Sequence, residues 1–472
     1  MKFDLNDTIA AISTPIGESG IGIVRISGAK AISIADKIYV SKDSKKPSSF
    51  KTYTTHYGWI VDRNQKPLAI NHKRTSYQII DEVILTVMLK PRSYTKEDIV
   101  EINCHGGIVP LRKTLELVLE SGARLAQPGE FTQRAFLNGR IDLAQAEAVL
   151  DIIKAGTDTA LNLGLRQLRG GLSKKLDLLR EKLLTIVSAL EASIDFPDED
   201  LGTVDVRKIA EDIDKLSLEL RLLLAGSERG KIFREGIKTV ICGKPNVGKS
   251  SLLNTLLKCE RAIVTSVPGT TRDTIEEILD ISGIPVKIVD TAGIIEPRDL
   301  IEKKAVSRTQ RYIEEADLVL LIFDGNKQLS YEDEVLMRRI NPAQVIALIN
   351  KIDLRQKINS EKIIKRFKRV IHVSAKKQKN INLLEEAIAR FVFNGKVKSN
   401  QPLWITNIRH IQQLKNTQKS LLCARGSINK NLPFECIAHD LNKAVGYLDE
   451  LQGKCFSEEL LDKIFSQFCI GK

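Results

Sequence analysis

Residues 243–250 read GKPNVGKS, a run that fits Gly-x-x-x-x-Gly-Lys-Ser. Gly243 and Gly248 let the backbone curl so that its N–H groups point inward, where phosphate oxygens accept from them. Lys249 brings a positive charge to the β- and γ-phosphates, and Ser250 offers a hydroxyl to Mg²⁺. A chance glycine-rich turn shares the spacing, so the flanks decide. Ile237 to Cys242 reads as a buried strand, and Ser251 to Leu257 as the start of a helix. That strand–loop–helix context, with Asn246, Val247 and Ser251 lining the loop, predicts a nucleotide phosphate site.

Three later runs complete it. Asp290-Thr291-Ala292-Gly293 follows the apolar stretch Val286 to Val289. An Asp ending a strand beside the phosphate loop can hold Mg²⁺ through water, and the Gly293 backbone can approach the γ-phosphate. Asn350-Lys351-Ile352-Asp353 ends the apolar stretch Val345 to Ile349. The Asp353 carboxylate can accept from guanine N1–H and its exocyclic amine, a donor pair adenine lacks. Ser374-Ala375-Lys376 ends a third strand, where backbone can meet the base O6. Each tetrapeptide alone is weak. In this order, each at the C-terminal end of a strand, they resemble the translation-factor-like GTPases.

Hydrolysis needs an oriented water. Many small GTPases place a Gln directly after the Asp-Thr-Ala-Gly run; here Ile294 stands there, and an apolar side chain cannot align water. Asn246 can ligate a cation through its carbonyl oxygen. Thr265-Ser266-Val267-Pro268-Gly269-Thr270-Thr271-Arg272-Asp273 can drape backbone oxygens over the same point. A potassium ion there would do the job of an arginine finger, and Thr271 is the natural second protein ligand for Mg²⁺. On residues alone, Asn246 reads equally as a turn residue and the loop as a connector.

Four regions position these groups. Residues 1–126 alternate short strands (Asp81 to Leu89, Ile99 to Ile102) with a helix over Leu111 to Glu120, an α+β pattern. Residues 127–234 carry Leu161, Leu165, Leu168, Leu172 and Leu176 at helical steps, extended by Leu179, Leu183, Ile186 and Leu190, a stripe that predicts core packing. Residues 235–395 alternate strand and helix and hold all the nucleotide motifs. Residues 396–472 return to helix (Ile405 to Leu422, Glu435 to Leu448, Ser457 to Phe468). The expected fold is multidomain α/β: a GTPase domain inserted in a helical domain, preceded by an α+β domain.

The loop sequences, with Phe468-Cys469-Ile470-Gly471-Lys472 at the end, resemble the MnmE (TrmE) family of GTPases that modify the tRNA wobble uridine. Gly22 to Gly28, Pro91 to Asp98, His105-Gly106-Gly107, Pro128 to Gly139 and Asp142 to Glu147 extend the resemblance over the chain. It implies a homodimer formed through N-terminal domains. It also implies a tetrahydrofolate one-carbon carrier (5-formyl or 5,10-methylene) and an FAD-dependent partner, MnmG (GidA), in a heterotetramer. Together they add a (carboxymethyl)aminomethyl group at C5. It places K⁺ on Asn246, Thr265, Val267 and Thr270, and makes Glu302 the residue that orients the catalytic water, with Lys249 and Thr271 also in the catalytic set. Without it, Glu302 reads as an acid at a helix start. It makes Arg25, Glu101, Arg140 and Lys472 folate contacts, with Cys469 as a thiol beside them; each alone reads as an ordinary surface group.

Composition narrows the class. The chain has 472 residues, 28% of them charged, and a formal net charge of +13, which fits a nucleic-acid partner. No run of ~18 apolar residues could span a bilayer. Asp4 and Asp7 argue against a leader, and seven scattered cysteines without a Cys-x-x-Cys pair fit a reducing cytoplasm. The rival class is a GTP-switched RNA-binding ribosome-assembly factor, which would carry an RNA-binding module after the GTPase. The leucine-rich helical tail here disfavours it. A folate-binding protein with a regulatory GTPase is a third reading.

Overall fold

Alternating burial builds the first sheet. In the computed structural model, which describes residues 7–65, 77–196, 205–259, 276–289, 311–393 and 405–472, Val83, Leu85 and Val87 point inward while Ile84 between them is 48% exposed. Seven strands run β3-β4-β5-β6-β2-β1-β7. They are β1 (Ile9–Ile12), β2 (Ser19–Ser27), β3 (Tyr39–Ser41), β4 (Thr54–Asp62), β5 (Gln78–Met88), β6 (Ile99–Gly106) and β7 (Arg124–Leu125). All neighbours are antiparallel except β1 and β7. Helices α1 (Ala31–Ile38) and α2 (Ile108–Glu120) close one face over Val24, Ile26, Ile34, Ile102 and Leu111. Helices α3 (Glu130–Leu137) and α4 (Leu143–Ile153) share a second cluster with Leu461, Ile464, Phe465 and Phe468 of the chain's last helical segment. Gly129 takes φ 72°, and a Cβ there would fall 2.6 Å from the Phe465 carbonyl, so only glycine allows that approach. These parts form one compact unit, residues 1–150 with 449–472.

A charged cluster locks this unit. Arg134 on α3 is 2% exposed and pairs with Asp7, with Glu97 at 3.2 Å and with Glu130 at 3.0 Å. Arg124 pairs with Asp7 and Glu130, each at 2.6 Å. Burial pulls the Asp7 carboxyl up, but hydrogen bonds and charge from Arg124 and Arg134 outweigh it and hold the group below its ordinary value. Asp7→Asn is expected to cost about 2 kcal/mol, less than for a fully buried pair because Asp7 is partly exposed. A depressed folded pKa gives stability that is present above the ordinary value of 3.8 and lost as pH falls below it. Urea unfolding should therefore show a constant gap between wild type and variant near neutrality, closing under acid; a gap that persists at low pH would exclude the ionic origin.

The second unit, residues 151–448, contains a six-stranded sheet ordered β13-β12-β11-β8-β10-β9. Its strands are β8 (Ile237–Cys242), β9 (Glu276–Ile281), β10 (Ile284–Val289), β11 (Leu318–Asp324), β12 (Val345–Asn350) and β13 (Val370–His372). All pairs are parallel except the β9–β10 hairpin. Strand β11 explains the layering. Leu318, Leu320 and Ile322 face one core, under α9 (Lys249–Cys259) and α12 (Ile381–Val392). Val319, Leu321 and Phe323 face another, under α10 (Tyr331–Arg339) and α11 (Glu361–Arg366). A strand buried on both faces needs a continuous apolar run, which LVLLIF supplies.

The same unit holds α5 (Asp158–Leu168), α6 (Gly171–Asp195), α7 (Val206–Leu224) and α8 (Ser227–Glu235). Beyond the sheet in sequence it holds α13 (Ile408–Asn429) and most of α14 (Phe434–Gln452); α15 (Glu458–Phe465) belongs to the first unit. Arg425 on α13 meets Asp214 on α7 at 3.1 Å, and buried His410 meets Gln167 at 3.4 Å. The leucine stripe is not one helix. Gly170, at φ 77°, divides it into α5 and α6. Leu172, Leu176, Leu179, Leu183 and Leu190 are buried as core, while Leu161, Leu165 and Leu168 are only partly covered. The β9–β10 turn is docked on the start of α5: the Thr157 hydroxyl caps α5 and donates to the Gly283 carbonyl at 3.1 Å. Gly283 has φ 84°, and a side chain there would run into Thr159.

Candidate nucleotide site and a second polar cluster

The phosphate loop joins the end of β8 to the start of α9, so its N–H groups gather at a helix N-terminus. Gly243 (φ 150°) and Gly248 (φ 103°) hold conformations that side chains disfavour. A Cβ on Gly248 would strike the Asn350 amide, so the cradle is closed by glycine and filled from behind. Asn246 is exposed with φ 64°, a strained value that asparagine tolerates. Lys249 folds its ammonium over the loop and donates to the Gly243 and Lys244 carbonyls, both at 2.9 Å. Ser250 is exposed on the first turn of α9. These groups fit a nucleotide polyphosphate: curled backbone donors, a pinned cation and an exposed hydroxyl for a divalent metal.

The base end is assembled from β12 and the loop after β13. Asn350 is buried; it donates to the Val247 carbonyl at 2.8 Å and accepts from the Ala375 N–H at 3.0 Å, tying the phosphate loop to the Ser374–Lys376 loop. Lys351, at φ 67°, donates to the Asn246 carbonyl at 2.8 Å and pairs with Asp324 at 2.7 Å. Asp353 is exposed, and the Ser374 hydroxyl donates to it at 2.6 Å. That hydrogen bond, aided by Lys377 and Lys376, holds the carboxyl below its ordinary value, so it stays an anionic acceptor. Thr255 on α9 donates to the Ala375 carbonyl at 2.9 Å and steadies the loop from below.

Asn246, Val247, Gly248, Lys249, Ser250, Ser251, Asn350, Lys351, Asp353, Ser374, Ala375 and Lys376 thus converge on one edge of the sheet. Thr265, Ser266, Val267, Pro268, Gly269, Thr270, Thr271, the run Asp290 to Gly293, Ile294 and Glu302 lie outside the described residues. Sequence reasoning missed a brace. Lys244 donates to Ser330 and pairs with Asp333, both at 2.7 Å, and these two residues form the capping box of α10. The loop is therefore fastened to α10 on one side and to β12 on the other.

A second cluster lies in the first unit. Arg25 on β2 and Glu101 on β6 are cross-strand neighbours and pair at 2.7 Å. Arg25 also donates to the Gly471 carbonyl at 3.3 Å. Gly471, at φ 92°, lies so close to Ile12 that a side chain would not fit. Arg140 stacks over the Tyr94 ring at 4.7 Å and donates to the Tyr94 carbonyl at 3.0 Å. Arg25 lies 6.0 Å from the same ring and 5.6 Å from Phe131. Arg25, Glu101, Arg140 and the segment ending in Lys472 therefore surround one aromatic shelf, whose Tyr94 and Phe131 the motifs alone did not single out. Cations, a carboxylate and an aromatic face fit a flat polar ring with an acidic tail. Cys469 is exposed, whereas burial pushes the Cys104 and Cys242 thiols up to about 12 and keeps them protonated.

A doubly covered, mostly parallel sheet, a glycine-rich loop after its strand β8 and an exposed, anionic Asp353 after β12 are the features of a P-loop guanine-nucleotide-binding protein. The comparisons with known proteins sharpen this. A model of the MnmE helical domain matches residues 143–469, and one of the GTP-binding protein TrmE N-terminus matches residues 8–140. A tRNA modification GTPase MnmE of Clostridioides difficile is 46% identical over 99% of this chain and all of its own length. That of Bacillus subtilis is 45% identical over 99% of this chain and all of its own. Among solved structures, an Era protein of Aquifex aeolicus bound to GDP and AlF4⁻ is 27% identical over 40% of this chain and 67% of its own, with a TM-score of 0.28. The chain belongs to the MnmE (TrmE) family.

Proposed function

We propose that this chain is a GTP hydrolase of tRNA modification. Its cycle drives addition of a (carboxymethyl)aminomethyl group to C5 of the wobble uridine. One observation carries the nucleotide part: Asn350 bonds both the phosphate loop and the Ala375 backbone, with Asp353 beside them as an anionic acceptor. Lys249 holds the β- and γ-phosphates, and Asp353 reads the guanine amine and N1–H. Ser250 and Thr271 hold Mg²⁺, which neutralises charge on the phosphates when bound. Asn246, Thr265, Val267 and Thr270 would hold K⁺, which would supply positive charge to the phosphates. Glu302 orients the attacking water. The family relatives are tRNA modification GTPases by name, which supports tRNA as the substrate of the chemistry.

The shelf of Tyr94, Arg25, Glu101 and Arg140, with Lys472 at its rim, takes the tetrahydrofolate carrier in this reading. A homodimer through the N-terminal domains and an FAD-dependent MnmG partner complete the machine, in the cytoplasm. The Thr157–Gly283 bond supports a mechanical link between the nucleotide site and the helices. In sequence, the β9–β10 hairpin lies between the loop assigned to the cations (Thr265 to Asp273) and the Asp290-to-Gly293 run assigned to the γ-phosphate, and its turn is anchored on α5. Among the described residues no helix is long and apolar enough to cross a membrane.

The test separates the cation from the nucleotide. GTP hydrolysis by the purified chain is expected to run about 10²-fold faster in KCl than in NaCl, the lower end of what one electrostatic stabiliser at the developing charge contributes. Asn246→Ala should erase the difference while GTP still binds. Equal rates in the two salts would reject the potassium assignment, and mass spectrometry of anticodon nucleosides from cells lacking the chain tests the tRNA part separately.

A further inference from the structure

We propose that the elbow between α5 and α6 is a docking point for the sugar–phosphate backbone of tRNA, held by Arg166, Arg169 and Lys174. The inference rests on the tRNA reading above and names a surface for it. The sequence supplies the charge: from Arg166 to Lys175 the chain has four cations and no acid. The turn supplies the shape. Gly170, at φ 77°, folds the end of α5 back onto the start of α6. An open cavity of about 270 Å³ results, lined by Asn162, Leu165, Arg166, Arg169, Gly171 and Lys174.

An ordinary solvated helix face spreads its long cations apart and interleaves them with acids. Here Arg166, Arg169 and Lys174 are all exposed yet share one concavity. Among the described residues, neither Arg169 nor Lys174 pairs with a carboxylate. Arg169 and Lys174, like charges in one concavity, repel each other, and a polyanion removes that repulsion while releasing its own counterions. The guanidinium forks match phosphate oxygens, and Asn162 adds an amide donor. The lining has no aromatic side chain on which a base could stack, so the pocket holds backbone rather than reads sequence. It is also smaller and more open than the ~300–1,000 Å³ pockets that enclose cofactors.

The experiment titrates labelled tRNA with the full-length protein over a series of KCl concentrations. For the double variant Arg169→Ala with Lys174→Ala, the slope of log K against log salt should fall by about 1.4 to 1.8, two contacts at ~0.7–0.9 each. Affinity at moderate salt should fall about tenfold, for structured and unstructured RNA alike. GTP hydrolysis should stay at the wild-type rate. The swapped pair Arg169→Lys with Lys174→Arg should keep the slope, and the single variants Arg169→Gln and Lys174→Gln should each lose about half of the double variant's change. If wild type binds tRNA and the double variant binds it with the same slope, the docking point is overturned and the tRNA reading stands. If wild type binds no tRNA at low salt, the tRNA reading itself falls, and this proposal with it.

Discussion

GTP affinity should fall at least a hundredfold in Lys249→Ala. The side chain is already where phosphates must sit: its ammonium bridges the Gly243 and Lys244 carbonyls at 2.9 Å each. When a nucleotide arrives the ammonium, which has three N–H donors, exchanges these carbonyls for phosphate oxygens that its already placed chain can reach, so little further freedom is lost. Charge-assisted hydrogen bonds contribute roughly 1.5–3 kcal/mol each, and two of them to the β- and γ-phosphates give about 3–6 kcal/mol. At 1.4 kcal/mol per decade, about two to four orders of magnitude are at stake. Lys249→Arg should recover little, since a planar fork does not fit a cradle shaped for a point charge. Titration with a fluorescent, non-hydrolysable GTP analogue reads the effect, and a melting curve confirms that the fold is kept. A loss of less than fivefold would place the phosphate anchor elsewhere.

The strings that converge at this edge of the sheet could be picked out because each is contiguous and its chemistry is local. GKPNVGKS, NKID and SAK each end a strand, and the structure brings them together through Asn350. The fold class was legible for the same reason: the apolar run Val345 to Ile349 announces a strand buried on both faces. The Lys244 brace to Ser330 and Asp333 was not. It links residues almost ninety positions apart, and a lysine in a loop gives no sign of its distant partner. Arg134 is similar: its partners Asp7, Glu97 and Glu130 come from three segments, and nothing in QRAF marks that arginine as buried. At Gly170 the break is written in the sequence but masked by the stripe. Two adjacent glycines break helices, yet the leucine spacing on either side happens to stay in phase across the break. The Tyr94 shelf fell between the two cases. Its stretch carried family-like residues, but only tertiary structure sets Arg25 and Arg140 around the same ring.

The sharpest result is expected from Asp353→Asn, which should convert guanine preference into xanthine preference rather than simply weaken binding. Asp353 is exposed at the mouth of the site, and the Ser374 hydroxyl holds one of its oxygens at 2.6 Å. The carboxylate offers acceptors only, which suits guanine's N1–H and exocyclic amine. An Asn keeps one acceptor for N1–H but turns the other position into an N–H₂ donor. That donor faces the guanine amine, leaving two donors opposed; xanthine, with a carbonyl at the same carbon, accepts from it. Sites built to satisfy polar substrate groups discriminate by about 10⁴–10⁵ when a partner is missing, through buried groups left unpaired. Asp353 is solvent-exposed, so a smaller swing of about 10²–10³ in the GTP-to-XTP affinity ratio is expected. The variant should keep the wild-type melting temperature, because Asp353 pairs only at the surface. Competition titrations with GDP and XDP measure the ratio directly. Guanine preference retained in the variant would mean that the base is read by the Ser374–Lys376 backbone and not by this carboxylate.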